Sequence, residues 1–185
     1  MSEKFRDRYR IPSARLQKWD YAWNAAYFIT ICTQHRICYF GDIVNGKMEL
    51  LEIGRIVQKE WLKTFELRPD MNLQMGSYVV MPNHFHGIVI IGKNKYNQRQ
   101  KVSGAVASPP SLPVPRNQFG PQSKNLASVV RGFKIGVTKR ARLIHADFAW
   151  QSRYHDHIIR DEKSFRRISE YIDNNPFHWD EDVFR

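Results

Sequence analysis

Cysteine is nearly absent: Cys32 and Cys38 are the only two in 185 residues, and they form no C-x-x-C pair. Neither a disulfide framework nor a zinc ribbon can be built from them, so they read as reduced packing residues. Long apolar runs are missing as well. No stretch approaches the roughly 18 to 20 consecutive apolar residues that cross a bilayer, and residues 1–10 are charged without an apolar centre. The expectation is a cytoplasmic protein with no membrane partner. Acid is in short supply too, with 18 Asp and Glu against 29 Lys and Arg, a formal net charge of +11. That excess favours a polyanionic partner, but DNA, RNA and acidic membrane surfaces all attract basic side chains through the same Coulomb interaction. Motifs have to choose among them.

What is present is enough apolar material for one core: 42% of residues are hydrophobic and 13% aromatic. At this length the chain reads as a single domain over residues 1–185. A basic N-terminal arm occupies about the first 24 residues. Residues 93–122 carry five prolines, four basic residues before Pro110 and no acid, the composition of a flexible, positively charged linker.

Residues 26–33 (AYFITICT) are β-branched and aromatic and predict a buried strand. Asn45-Gly46, between short apolar runs in residues 38–50, predicts a two-residue hairpin. In residues 51–67, Ile53, Ile56, Val57, Trp61, Leu62 and Phe65 recur at helical spacing. Two strands follow at 73–81 and 84–91, joined through Pro82-Asn83, the second expected in the middle of a sheet. A second helix over 124–144 places Leu126, Val129, Val130, Phe133, Val137 and Ala141 on its inner stripe, with Arg131, Lys134, Lys139, Arg140 and Arg142 spread around it as candidate phosphate contacts. Short strand pieces in 150–159 precede a third helix that opens near Asp161 and stops at Pro176. This order predicts an α+β fold: a ferredoxin-like antiparallel sheet with helices packed mainly on one face.

The chemistry concentrates in Pro82-Asn83-His84-Phe85-His86-Gly87. Two positions apart on a strand, His84 and His86 project from one face and can share a metal ion, while Phe85 points the other way with Val89 and Ile91 into the core. By itself an H-x-H pair is more often packing than ligation. Downstream stand Arg153-Tyr154-His155-Asp156-His157-Ile158-Ile159-Arg160 and Tyr171-Ile172-Asp173-Asn174-Asn175-Pro176. Tyr171 and Asn175 are four apart and so adjacent on one helix face, beside the stripe of Phe165, Ile168 and Ile172.

Together, H-x-H and a later helix ending Tyr-Ile-x-x-Asn-Pro resemble the REP-associated tyrosine transposases, within the single-tyrosine HUH transposases. The resemblance spans most of the chain, from the first strand to Trp179. It implies an HUH-endonuclease sheet, His84 and His86 as metal ligands, Tyr171 as the nucleophile and Asn175 as a candidate third ligand, where relatives often carry Gln. It also implies Mg²⁺ or Mn²⁺ as cofactor and single-stranded or hairpin DNA as partner, nicked and rejoined through a 5′-phosphotyrosine. Two imidazoles tilt the site toward Mn²⁺ or another transition ion, because Mg²⁺ prefers oxygen. Tyr154 is the rival tyrosine, and it lacks a carboxamide four positions on. Trp19, Trp23 and Phe119 are candidate base-stacking residues. The protein is expected at the nucleoid as a monomer or homodimer. Competing expectations are a non-catalytic nucleic-acid module on a ferredoxin-like sheet, an HUH replication initiator or relaxase, and a metal-dependent hydrolase without a covalent step.

Overall fold

A computed structural model describes residues 4–5, 8–9, 16, 19–98 and 123–184. Most of the basic N-terminal arm, Phe119 and the linker from residue 99 to 122 lie outside the described residues. In the described part of the predicted linker, residues 94–97 form a hydrogen-bonded turn. The Asn94 side chain is buried and donates to the carbonyls of Met71 (2.9 Å) and Gly92 (3.0 Å), closing a turn through Asn97.

Four strands make the main sheet, in the order β6-β7-β3-β8 with every neighbour antiparallel: β3 (Ala25–Cys32), β6 (Leu73–Val80), β7 (His84–Ile91) and β8 (His155–Ile159). Two short pairs stand outside it, β1 (Lys4–Phe5) with β2 (Arg8–Tyr9), and β4 (Gly41–Val44) with β5 (Lys47–Leu50). The second is the predicted hairpin. Asn45 and Gly46 have φ of 51° and 72°, the paired left-handed conformation that a two-residue turn between twisted strands demands.

Three helices complete the fold: α1 (Glu52–Glu66), α2 (Leu126–Ala141) and α3 (Glu162–Asn174). Asn125 caps α2 through a reciprocal pair of hydrogen bonds with Ser128, and Asp161 caps α3 by accepting from the Ser164 amide at 2.7 Å. No helix among the described residues is long and apolar enough to cross a membrane.

The alternation of side chains along β3 and β7 sorts the core into two layers. Tyr27, Ile29, Ile31, Phe85, Val89 and Ile91 face α1 and α2, where Trp61 is fully buried with its ring 4.7 Å from Phe85 and 5.4 Å from Phe133. Phe28, Ile88, Ile90 and Ile159 face the other way, toward Phe165, Ile168 and Ile172 of α3. Two helices therefore cover one face, as expected, and the third covers the opposite one. α1 and α2 approach closely because Gly136 leaves room for a side chain of α1, and Gly132 leaves room for Arg68 just beyond that helix's C-terminus. A Cβ added to Gly132 would meet Arg68 Nη2 at 2.1 Å, and one added to Gly136 would meet Glu60 Oε2 at 2.2 Å.

Candidate metal and tyrosine site

β7 is hydrogen-bonded on both sides, so His84 and His86 sit in the middle of the sheet, and both are fully buried. Phe85 between them enters the layer under α1 and α2, which turns both imidazoles toward α3. Gly87 is required by the same packing: a Cβ there would lie 2.9 Å from Trp61 Cζ2.

Each ring is held by its Nδ1. His84 Nδ1 lies 2.8 Å from Asn83 Oδ1, which can only accept, so Nδ1 carries the proton and Nε2 presents a lone pair. His86 Nδ1 lies 2.9 Å from the hydroxyl of Thr30, its register partner on β3. The two Nε2 atoms then face one another at 3.0 Å. Burial, reinforced by the positive charge of Arg36, depresses the His84 pKa to about 3. Burial and neighbouring His84 push His86 well below its ordinary value as well. Both rings are neutral at physiological pH, and orienting partners on Nδ1 are how proteins prepare imidazoles for metal ligation.

Tyr171 reaches the pair from α3. Its hydroxyl is 3.4 Å from His86 Nε2, and its ring stands edge-on to His86 and Phe28 at 5.4 Å and 6.2 Å. The residue is 43% exposed, so the phenol borders solvent while its inner edge touches the site. Burial, then the charge of Asp182, raise its pKa, and a hydrogen bond from Asn175 works against them. Asn175 keeps helical angles (φ −55°, ψ −39°) despite the following proline, so it stays on the Tyr171 side of the helix. Pro176 does not end the helical path. It falls in the first turn of a 3-10 segment, Asn175–Glu181, where a missing N–H is no loss.

That segment brings in a residue the motif reading missed. Asp182 Oδ2 is 3.7 Å from His84 Nε2 with its side chain 2% exposed, and the donor atoms of His84, His86 and Asp182 all lie within 4.8 Å of one another. Because His84 is neutral, this contact is not a salt bridge. Asp182 Oδ2 and Asn175 Oδ1 are both buried without a hydrogen-bond partner, an arrangement that costs a few kcal/mol per group unless a cation or donor arrives. Two imidazole nitrogens that face one another and a carboxylate are the donor set that suits a divalent cation. At metal–nitrogen bonds of about 2.1 Å, ligands at right angles stand about 3 Å apart, which matches the imidazole spacing. The three residues could hold a metal ion.

Phe184 closes the site, its ring 5.3 Å from His84 and 5.7 Å from His86. Its carbonyl accepts from Asn83 Nδ2 at 3.0 Å, and Arg36 donates to the Val183 carbonyl at 2.8 Å. No pattern in residues 177–185 announces this role. Only the turn after Pro176 brings them back over β7.

The other nominated residues fall elsewhere. Tyr154 packs with the layer under α1 and α2, across the sheet from the histidines. Trp19 donates to the Tyr27 hydroxyl at 3.2 Å and packs on the same layer, with Trp23 edge-on beside it. The basic residues of α2 also belong to that side. Lys134 Nζ donates to the Gln151 carbonyl (2.6 Å), Arg140 pairs with Glu60 (3.0 Å) and Arg142 donates to the Phe148 carbonyl (3.0 Å). Arg131 and Lys139 are exposed.

The chain matches a solved structure of a REP-associated tyrosine transposase bound to a REP hairpin, with a TM-score of 0.58 and 18% identity, over 91% of this chain and 74% of that one. Its fold is thus that of the REP-associated tyrosine transposases. No protein-family model matches. In sequence the chain is 39% identical over 171 residues to a protein of Haemophilus influenzae described as uncharacterized, covering 92% of this chain and 90% of that protein. The chain belongs to the family of that Haemophilus influenzae protein.

Proposed function

We propose that the protein is a metal-dependent enzyme that nicks and rejoins single-stranded or hairpin DNA through a covalent phosphotyrosine, as in DNA transposition. The observation that carries this reading is the meeting of groups from two distant parts of the chain: a phenol 3.4 Å from one of two neutral imidazoles whose Nε2 atoms lie 3.0 Å apart. A purely packing role for H-x-H gives no reason for two buried imidazole nitrogens to converge with an unpartnered buried carboxylate oxygen. DNA as substrate is supported by the excess of basic residues and by the fold shared with a transposase bound to a hairpin.

His84, His86 and Asp182 would hold the cation, with Asn175 as a further oxygen donor. A divalent ion there supplies Lewis-acid neutralisation of the scissile phosphate. The Tyr171 oxygen attacks phosphorus, forming a phosphotyrosine on the 5′ side, while the bond to the 3′ oxygen breaks and the phenolic proton ends on the 3′-hydroxyl released. The reverse step, with a 3′-hydroxyl as nucleophile, reseals the strand without an external energy source. Asn175 supports the phenolate by donating to it, and Asp182 opposes it until its own charge is balanced.

The test is a denaturing gel of the protein incubated with Mn²⁺ and labelled hairpin DNA. Wild type is expected to form a covalent adduct that Tyr171→Phe does not form. Cleavage without an adduct would make the protein a hydrolase. Titration of Mn²⁺ into Asp182→Asn and Asn175→Ala separates the two oxygen donors: a ligand's loss is expected to exceed the roughly 10- to 100-fold weakening that follows from losing a partner that only orients one.

A further inference from the structure

A second cluster of cations lies far from the histidines. Between the end of α1 and the first turns of α2 opens a cleft of about 310 Å³ lined by Arg68, Lys124, Arg131, Ser123 and Ile135, among others. Arg68 lies flat against α2 where Gly132 lacks a side chain. Its guanidinium donates to the Thr64 carbonyl at 3.2 Å, and among the described residues no carboxylate pairs with it. Burial works against its charge more than nearby Asp70 supports it. Asp70 is itself engaged, by the Lys124 ammonium and by the Tyr96 hydroxyl at 2.8 Å. Arg68 and Lys124 thus have one occupied carboxylate near them, in a recess with hydroxyl groups, the Arg131 guanidinium and one apolar wall.

We propose that this cleft binds a phosphate of the DNA backbone, at a point separate from the tyrosine site. The proposal rests on the reading of the protein as a DNA enzyme. An arginine set against a helix with one backbone acceptor keeps most of its fork of donors for a bidentate anion, and phosphate matches that geometry. Arg131 supplies a second guanidinium on the same wall. The position also says what kind of DNA reaches it. Met71, in the cleft wall, precedes β6, and β6 enters the sheet opposite Ile91. The cleft therefore lies at the far end of β7 from His84, and on the opposite face. Eight strand residues separate the two ends by about 24 Å, the axial length of about seven base pairs. Nucleotides at the tyrosine cannot touch the cleft, and a duplex stem has to be longer than about seven base pairs to reach it, because the crossing to the opposite face adds to the axial length. The cleft is a stem-length reader on the non-catalytic side.

The experiment is fluorescence anisotropy of the full chain with labelled DNA hairpins whose stems are about four and about twelve base pairs. Arg68→Gln and Arg131→Gln are compared with wild type over a series of salt concentrations. For the long stem, each variant is expected to weaken binding about fivefold and to reduce the slope of log affinity against log salt by about 0.9, the value of one lost phosphate contact. The short stem should bind all three proteins alike. Arg131 is exposed, so its variant keeps the test informative if Arg68→Gln unfolds, which thermal melting reports. Unchanged affinity and slope on the long stem would overturn the proposal, as would equal losses on both stems. The Tyr171 adduct assay is read in parallel. An adduct with no effect of the arginines removes the cleft and leaves the enzyme standing, whereas a stem-dependent effect without an adduct does the reverse.

Discussion

The two faces of the sheet are built to different ends. Under α1 and α2 lies an aromatic layer of Trp61, Phe85, Phe133, Phe148 and Trp150, all buried and in ring contact. Under α3 the apolar part shrinks to Ile88, Ile159, Ile168 and Ile172 with a few flanking residues, and the rest of the face is His84, His86, Thr30, Tyr171, Asn175 and Asp182. The same strand serves both, since Phe85 goes to one face and its two histidine neighbours to the other. The teaching is that stability and chemistry are separated by the pleat of one strand. The stable face pins β7, and the chemical face can then carry unpartnered polar groups that would unfold a smaller core.

This contrast can be broken or sharpened by substitution. The largest effect is expected on the chemical face: His84→Ala or His86→Ala should lower metal-dependent nicking by at least about a thousandfold while leaving most hairpin affinity, because binding draws on charge spread over the surface. Gel assays with excess Mn²⁺ measure it, and retained cleavage by either variant would dissolve the metal assignment. On the stable face, Trp61→Ala should cost about 3–5 kcal/mol in urea unfolding, enough to leave the protein marginal. A loss below about 1 kcal/mol would mean that the aromatic layer is not what holds the fold. The smallest effect, reckoned per pH unit, is the acid response of the metal-free protein. His84 is held neutral with a pKa near 3, below its unfolded value, so the unfolded chain binds the extra proton and stability falls as pH drops from about 6.5 toward 3. His84 contributes a slope of about 1.4 kcal/mol per pH unit between pH 6 and 4, and His84→Gln should flatten the curve seen by denaturant titration. An unchanged slope would argue that water reaches the pair.

Much of the site was legible because its key spacings are local. H-x-H on a strand puts two imidazoles on one face whatever surrounds them, and Tyr171 with Asn175 shares a helix face by the same kind of rule. The hairpin at Asn45-Gly46 and the caps at Asn125 and Asp161 follow from side chains acting on their own backbone. Asp182 was not legible. It follows a 3-10 turn in a segment with no periodicity, and nothing nearby in sequence says that the chain doubles back over β7. The partners of the basic residues in and just after α2 were hidden for a related reason. A helical wheel shows Lys134, Arg140 and Arg142 on the surface, but whether a Glu60 or a carbonyl of residue 148 or 151 is waiting for them depends on packing.

From the chain alone came the α+β alternation, the buried strand carrying two histidines, the helix carrying a tyrosine, and a charge balance that calls for a polyanion. These rest on periodicity and composition, which do not need long-range contacts. The tertiary structure decided which face of the sheet each helix covers, that Tyr171 comes within 3.4 Å of His86, and that Asp182 and Phe184 return to close the pair. Those outcomes depend on how elements tens of residues apart share one core, and no local rule encodes that distance.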